Sequence, residues 1–214
     1  MLHARQTDLA VCLENVHKPH NVAAIMRTCD AVGVHRLHCV WEQEQRIRRG
    51  TSVGAQQWVE THHHKTIEDA VTTLRQAGMQ ILVTHFSPHA CDFRQIDYTR
   101  PTAIMLGQEK YGVTDTAIAS ADQHILVPML GMVQSLNVSV AGALILYEAQ
   151  RQRCLAGQYD HPQLDEATCQ RILFEQGYPR LKDICIKKKL AYPAIDDTGA
   201  IVADEDWWNQ IRAH

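Results

Sequence analysis

Hydrophobic and polar positions follow two different periods along this chain. Short apolar runs rich in β-branched residues at Leu9–Leu13, Val34–Val40, Gln80–Thr84, Thr102–Leu106 and His124–Pro128 predict strands. Between them apolar residues recur at helical spacing: Val22, Ile25, Met26 and Cys29, then Ile67, Ala70, Val71 and Leu74, a run that stops at Gly78. A short helix is expected over Asp115–Ala121. A long one starts at Val138, carries Ala141, Leu144 and Ile145, passes Arg151 and Arg153 and ends near Gly157. Strands alternating with helices predict an α/β fold with a mainly parallel sheet covered on both faces. Tyr159-Asp160-His161-Pro162 reads as a break. Beyond it the pattern predicts helices near Gln163–Glu175 and Leu181–Lys188, a loop through Tyr192-Pro193 and a short last helix beginning at Trp207-Trp208. The chain thus divides into an α/β domain over 1–157 and a helical extension over 158–214.

Three segments that follow predicted strands could carry chemistry. In the last, the strand ending at Pro128 passes through a loop with Gly131, which sets Ser135 and Asn137 at the mouth of the long helix. Small hydrogen-bonding side chains there lie at the carboxyl edge of the sheet, where open α/β sheets bind ligands. In the first, His17-Lys18-Pro19-His20-Asn21-Val22 leads to Arg27. Asn21 stands where a helix N-cap is expected. Arg27 could pair with Asp30 one turn on, or offer its planar fork to a phosphate. In the middle segment, Met105 to Gly112, two glycines five apart permit a tight turn and close approach of backbone to a ligand. No strand is followed by G-x-G-x-x-G, which argues against an ordinary dinucleotide site.

Composition narrows the field. With 214 residues, 45% hydrophobic and 21% charged, the chain has the make-up of an ordinary soluble protein. Its longest apolar stretch, Val138 to Tyr147, is too short to span a bilayer. The first residues show no signal-peptide core. Seven scattered cysteines without a C-x-x-C pair argue against a disulfide framework or a cysteine zinc site and fit a reducing cytoplasm. The net charge of −3 alone argues against a polyanion partner. Its distribution qualifies this, because Arg46, Arg48 and Arg49 form one basic group and Arg180, Lys182, Lys187, Lys188 and Lys189 another. His62-His63-His64 lack an accompanying carboxylate or cysteine pattern, and no metal is expected. Trp207 and Trp208 are expected to pack the tail.

Taken together, Asn21 through Arg27, then Gly107, Glu109 and Gly112, then Pro128, Gly131, Ser135 and Asn137 resemble, in order, the three motifs of the SPOUT-class RNA 2′-O-ribose methyltransferases, in the TrmH (SpoU) branch. The stretches Gln108-Glu109-Lys110 and Tyr147 to Arg153, and a tail with Phe174-Glu175, Gly177-Tyr178-Pro179 and Trp207-Trp208, resemble the same branch, so the likeness covers nearly the whole chain. Ala23 stands where the family often has glycine. The resemblance implies an α/β-knot fold with a deep trefoil knot in the C-terminal part of the catalytic domain, and a homodimer. It implies that S-adenosylmethionine binds in the knot, leaving as S-adenosylhomocysteine, at Thr84, Gly107 and Val127 with Leu136 and Gly131 from the last loop. It also implies transfer of a methyl group to the ribose 2′-OH of guanosine 18 in the D-loop of tRNA, with neither DNA nor a membrane as partner. Arg27 would bind the neighbouring phosphate and stabilise the developing alkoxide, and Asn21 would orient Arg27. Ser135 and Asn137 would hold the loop and face the hydroxyl, while Glu109 would brace the cofactor loop or the dimer contact. Arg46, Arg48, Arg49 and Lys187–Lys189 would track phosphates. Two alternatives stay open at this level: a different tRNA or ribosomal RNA nucleotide as target, or a non-catalytic RNA-binding module that kept the fold.

Overall fold

A computed structural model describes residues 2–41 and 54–213. The chain forms two compact units, one over residues 4–161 and one that joins residues 162–213 to Leu2 and His3. In the larger unit, β1 (Gln6–Glu14), α1 (Pro19–Ala31), β2 (Val34–Val40), β3 (Glu60–His64), α2 (Ile67–Gln76), β4 (Gln80–Thr84), β5 (Cys91–Asp92), β6 (Thr102–Leu106), α3 (Asp115–Ala119), β7 (Gln123–Leu126) and α4 (Val138–Leu155) follow in order. Seven strands make one sheet in the order β3-β2-β1-β6-β4-β7-β5, and every neighbouring pair is parallel. The α/β architecture expected from the alternating pattern is the one observed.

Burial on both faces explains why the central strands read as continuous apolar runs. Leu9, Val11 and Leu13 of β1, with Ile104 and Leu106 of β6, pack toward Ile25 and Met26 of α1 and Ile145, Leu146 and Ala149 of α4. The alternating positions Ala10, Cys12, Ala103 and Met105 join Ala70 and Leu74 of α2 and Ala117 of α3 on the other face. Gly142 lets α4 settle close to the sheet, since a Cβ there would stand 3.0 Å from Leu106 Cδ1.

Several element limits differ from the sequence pattern. β1 begins three residues early because Gln6 and Asp8, polar side chains in a strand, are bonded to Arg153 from α4. β7 stops at Leu126, before Pro128, which has no N–H to give a ladder. α3 ends at Ala119 and α4 at Leu155, each two residues short of the expected limit. β3 and β5 were not apparent in the pattern. β3 is an outer strand of half-exposed polar residues and β5 has only two residues. Arg46, Arg48 and Arg49 lie outside the described residues.

The smaller unit holds α5 (Glu166–Gly177), α6 (Pro179–Lys188), a two-stranded antiparallel pair β8 (Ala194–Ile195) and β9 (Ile201–Val202), and α7 (Glu205–Arg212). α5 and α7 take Asp165 and Asp204 as N-caps, which explains why both start later or earlier than apolar spacing alone suggests. Phe174, Cys185 and Ile195 form its core, with Tyr178, Tyr192 and Trp207 packed around them. Trp207 also donates its indole N–H to Ala191 O at 3.1 Å.

Candidate active site

The order β6-β4-β7 and the shared parallel direction bring Gly107, Thr84 and Val127 to the carboxyl ends of three adjacent strands. Thr84 is half-buried and donates its hydroxyl to Met105 O at 3.1 Å, fastening the end of β4 to β6. Gly107 is obligatory for its loop. A Cβ there would lie 2.2 Å from the carbonyl carbon of Gly112. The loop closes on itself through Gln108 and Gly112, whose backbones exchange bonds of 3.0 and 2.9 Å, with Gly112 at φ +70°. Val127 packs on the core, and Leu136 is half-buried in the last loop, where Gly131 and Ser135 are exposed.

A chain of polar side chains joins the three segments. Asn137 caps α4: its Oδ1 accepts from Ser139 N at 2.8 Å and from Ser139 Oγ at 2.6 Å. Its Nδ2 donates to Asn21 Oδ1 at 3.1 Å. Asn21 Nδ2 in turn donates to Glu109 Oε1, and the Lys18 ammonium lies 3.5 Å from the same oxygen. Burial alone would push the Glu109 carboxyl up. Its own backbone amide, Lys18 and Asn21 outweigh that effect and hold it below the usual carboxylate range.

Two expectations for this segment are revised. Asn21 is not the N-cap of α1: the helix begins at Pro19 with Lys18 as cap, and Lys18 O accepts from both Asn21 N and Val22 N. Proline pre-sets the first helical position, so the start moves three residues earlier than the apolar stripe suggests. Asn21 is instead 1% exposed, and its amide serves Glu109 and Asn137 rather than Arg27. Of the two possibilities for Arg27, the pair with Asp30 does not form, because Asp30 binds Arg5. Arg27 is exposed and, among the described residues, has no ion-pair or hydrogen-bond partner. Its fork is available to an anion. Ser135 lies two residues ahead of the cap and does not cap the helix; Asn137 does.

Two contributors escaped the sequence pattern. Glu14, 2% exposed at the end of β1, accepts from Thr114 N at 2.8 Å and Thr114 Oγ1 at 2.6 Å, which anchors the chain leaving Gly112. A carboxylate closing an apolar strand was the available signal. Ser139, just inside α4, was hidden because a serine there reads as an ordinary helix-start residue. In the smaller unit, Lys188 is engaged: its ammonium donates to the carbonyls of Gln210 at 2.6 Å, Ile211 at 3.2 Å and Ala213, capping the end of α7. Lys187 and Lys189 are exposed. Among the described residues no group of three or more His, Cys, Asp or Glu side chains is arranged to hold a metal ion.

Known proteins share both the segments and the fold. A family model described as the SpoU rRNA Methylase family matches residues 8–147, and one described as SpoU, rRNA methylase, C-terminal matches residues 151–204. The tRNA (guanosine(18)-2′-O)-methyltransferase of Escherichia coli (strain K12) is 57% identical over 216 residues, covering 100% of this chain and 94% of that protein. The crystal structure of the Aquifex aeolicus TrmH/SpoU tRNA modifying enzyme superposes with a TM-score of 0.78 at 42% identity, over 83% of this chain and 91% of that one. The AdoMet-bound rRNA methyltransferase of Sinorhizobium meliloti does so with a TM-score of 0.63 at 29% identity, over 70% of this chain and 58% of that one. The chain therefore belongs to the SpoU rRNA methylase family.

Proposed function

We propose that this protein transfers a methyl group from S-adenosylmethionine to the ribose 2′-OH of guanosine 18 in tRNA. The observation that carries the reading is the hydrogen-bonded junction of the three motif segments through Asn21, Glu109 and Asn137, with an unpaired Arg27 on the helix of the first. The target comes from the activity named for the Escherichia coli relative, which aligns over the whole chain.

S-adenosylmethionine, when bound, supplies an electrophilic methyl group. The residues at the strand ends fit such a ligand. Val127 and Leu136 are half-buried aliphatic walls, and the loops at Gly107 and Gly131 bring backbone without side chains. Thr84 holds the β4 end in place. Arg27 grips the phosphate next to the target ribose and stabilises negative charge growing on the 2′-oxygen. A guanidinium is too weak an acid to act as an ordinary base at neutral pH, so the proton leaves to the phosphate or to a transiently neutral Arg27. Ser135 and Asn137 line the side of the loop that meets the hydroxyl. Lys187 and Lys189, with Arg46, Arg48 and Arg49, track the RNA backbone.

The remaining parts of the reading rest on the same family membership. The segment between β7 and α4 forms a trefoil knot; support comes from β7 lying inside the sheet rather than at its edge. Stretching one molecule tests this, since a knotted chain stops short of its full contour length. Residues 158–214 act as an RNA-facing extension of the catalytic domain. Two copies pair through α4, whose Val140, Leu144 and Tyr147 are 48%, 44% and 51% exposed along one stripe. No helix among the described residues is long and apolar enough to cross a membrane. A tRNA substrate, as named for the Escherichia coli relative, places the work in the cytoplasm.

The reading is tested with a tRNA carrying 2′-deoxyguanosine at position 18. Methyl incorporation is expected in the ordinary tRNA, mapped to that ribose, and none in the deoxy form. Equal incorporation in both would overturn it, and a map to another nucleotide would reassign the target.

A further inference from the structure

We infer that Ser139 is a positioning residue that makes Asn137 a hydrogen-bond donor, and only a donor, toward the ribose 2′-oxygen; this rests on the function proposed above. The first constraint is an obligate donor. Ser139 N–H can only donate, so the Asn137 atom facing it at 2.8 Å must be Oδ1. Nδ2 then faces Asn21, whose Oδ1 must accept at 3.1 Å, which turns Asn21 Nδ2 toward Glu109. Glu109 meets that N–H as an ionised acceptor, helped by Lys18 at 3.5 Å. Between a backbone N–H at one end and a carboxylate at the other, neither amide is free to flip.

Ser139 adds a second constraint. Its hydroxyl donates to the same Asn137 Oδ1 at 2.6 Å, filling the acceptor capacity that the backbone bond leaves over. One of the two Nδ2 hydrogens of Asn137 is spent on Asn21. The other is all that Asn137 has left to offer, and Asn137 is exposed whereas Asn21 is buried. A lone N–H favours the oxygen as it becomes negative over the neutral hydroxyl, which is how a preorganised donor lowers a barrier. It cannot take the hydroxyl's proton.

Three variants and one spectrum test this. Asn137→Asp keeps an acceptor for capping α4 and so keeps the fold, but it puts an anion where the donor stood. Its kcat is expected to fall by about 10²- to 10³-fold, the loss typical of one oxyanion donor, with KM for tRNA nearly unchanged. Ser139→Ala frees a lone pair of Asn137 Oδ1 and should lower kcat by about tenfold at an unchanged melting temperature, the scale of one neutral hydrogen bond. Ser139→Thr restores the hydroxyl and should restore kcat. In the free protein, NMR should show one Asn137 side-chain amide proton protected from exchange and the other exchanging quickly. Wild-type kcat in Asn137→Asp or Ser139→Ala, or equal exchange of the two protons, overturns the inference. A wild-type protein that transfers no methyl group would instead sink the proposed function, while the exchange pattern would still decide whether the hydrogen-bond chain exists.

Discussion

His38 is 3% exposed on β2, its Nδ1 is 2.8 Å from His64 Nε2, and its ring lies 5.3 Å from that of His62. Burial first, then His64, His62 and Arg36, push its pKa down to about 4, against a smaller upward pull from Glu60. His64 is lowered as well, by burial and His62. The folded protein therefore holds His38 neutral, while the unfolded chain takes up a proton near 6.5. The sign follows: this stability is fully present above pH 6.5 and is lost as pH falls from there to about 4, up to about 3 kcal/mol for His38. Urea unfolding between pH 7.5 and 4.5 checks it. His38→Gln should flatten the acid decline, and an unchanged decline would refute the assignment. Such residue-level facts were the least legible in the sequence. Asn21, Glu109 and Asn137 were singled out there, but their mutual bonds span 88 and 116 residues of chain, which local spacing does not report. Lys188 likewise read as one of a basic run, and its use as a cap for α7 depends on where that helix ends.

At the scale of elements, Arg153 fastens the end of α4 to both the start of β1 and the turn before β6. Wholly buried, it donates to Tyr98 O at 2.9 Å, Gln6 Oε1 at 3.0 Å, Asp8 Oδ1 at 2.5 Å, Asp8 O at 3.2 Å and Arg100 O at 3.1 Å. Five bonds use the whole donor set of a guanidinium. Arg153→Met should cost about 3 kcal/mol, because it leaves the Tyr98 carbonyl and Gln6 Oε1 buried without their donor. Equilibrium unfolding measures this, and a loss below about 1 kcal/mol would mean that the bridge behaves like a surface ion pair. The strands Gln80–Thr84 and Thr102–Leu106 were legible to the residue because their buried positions are mostly apolar on both faces, and Val34–Val40 because Val34, Leu37, Cys39 and Val40 keep the signal around its polar residues. β1 was legible only where it is apolar. Its start is held as strand where Arg153 binds Gln6 and Asp8, and β3 was missed because its His62, His63 and His64 alternate no hydrophobic signal.

For the whole molecule, the fold class was legible from alternation alone, but the strand order and the meeting of three motifs were not. A local pattern shows which residues are buried and not which strand lies beside which. The proposed pairing of two copies rests on what α4 leaves uncovered. The stripe of Val140, Leu144 and Tyr147 sits on the face opposite Ile145 and Leu146 of the core and leaves three large apolar side chains in a row half-exposed. Sedimentation should give a dimer for the wild type and a folded monomer for Leu144→Glu; a monomeric wild type would refute the pairing. The central claim, that Arg27 serves the transfer and not the cofactor, is met most directly by one comparison. Calorimetric binding of S-adenosylmethionine and single-turnover methylation of tRNA are measured for the wild type and for Arg27→Ala. Binding within about twofold of wild type, with transfer lowered by at least about 10²-fold, is the predicted result, the loss expected for one charge-stabilising group. Transfer by Arg27→Ala at the wild-type rate would contradict the account.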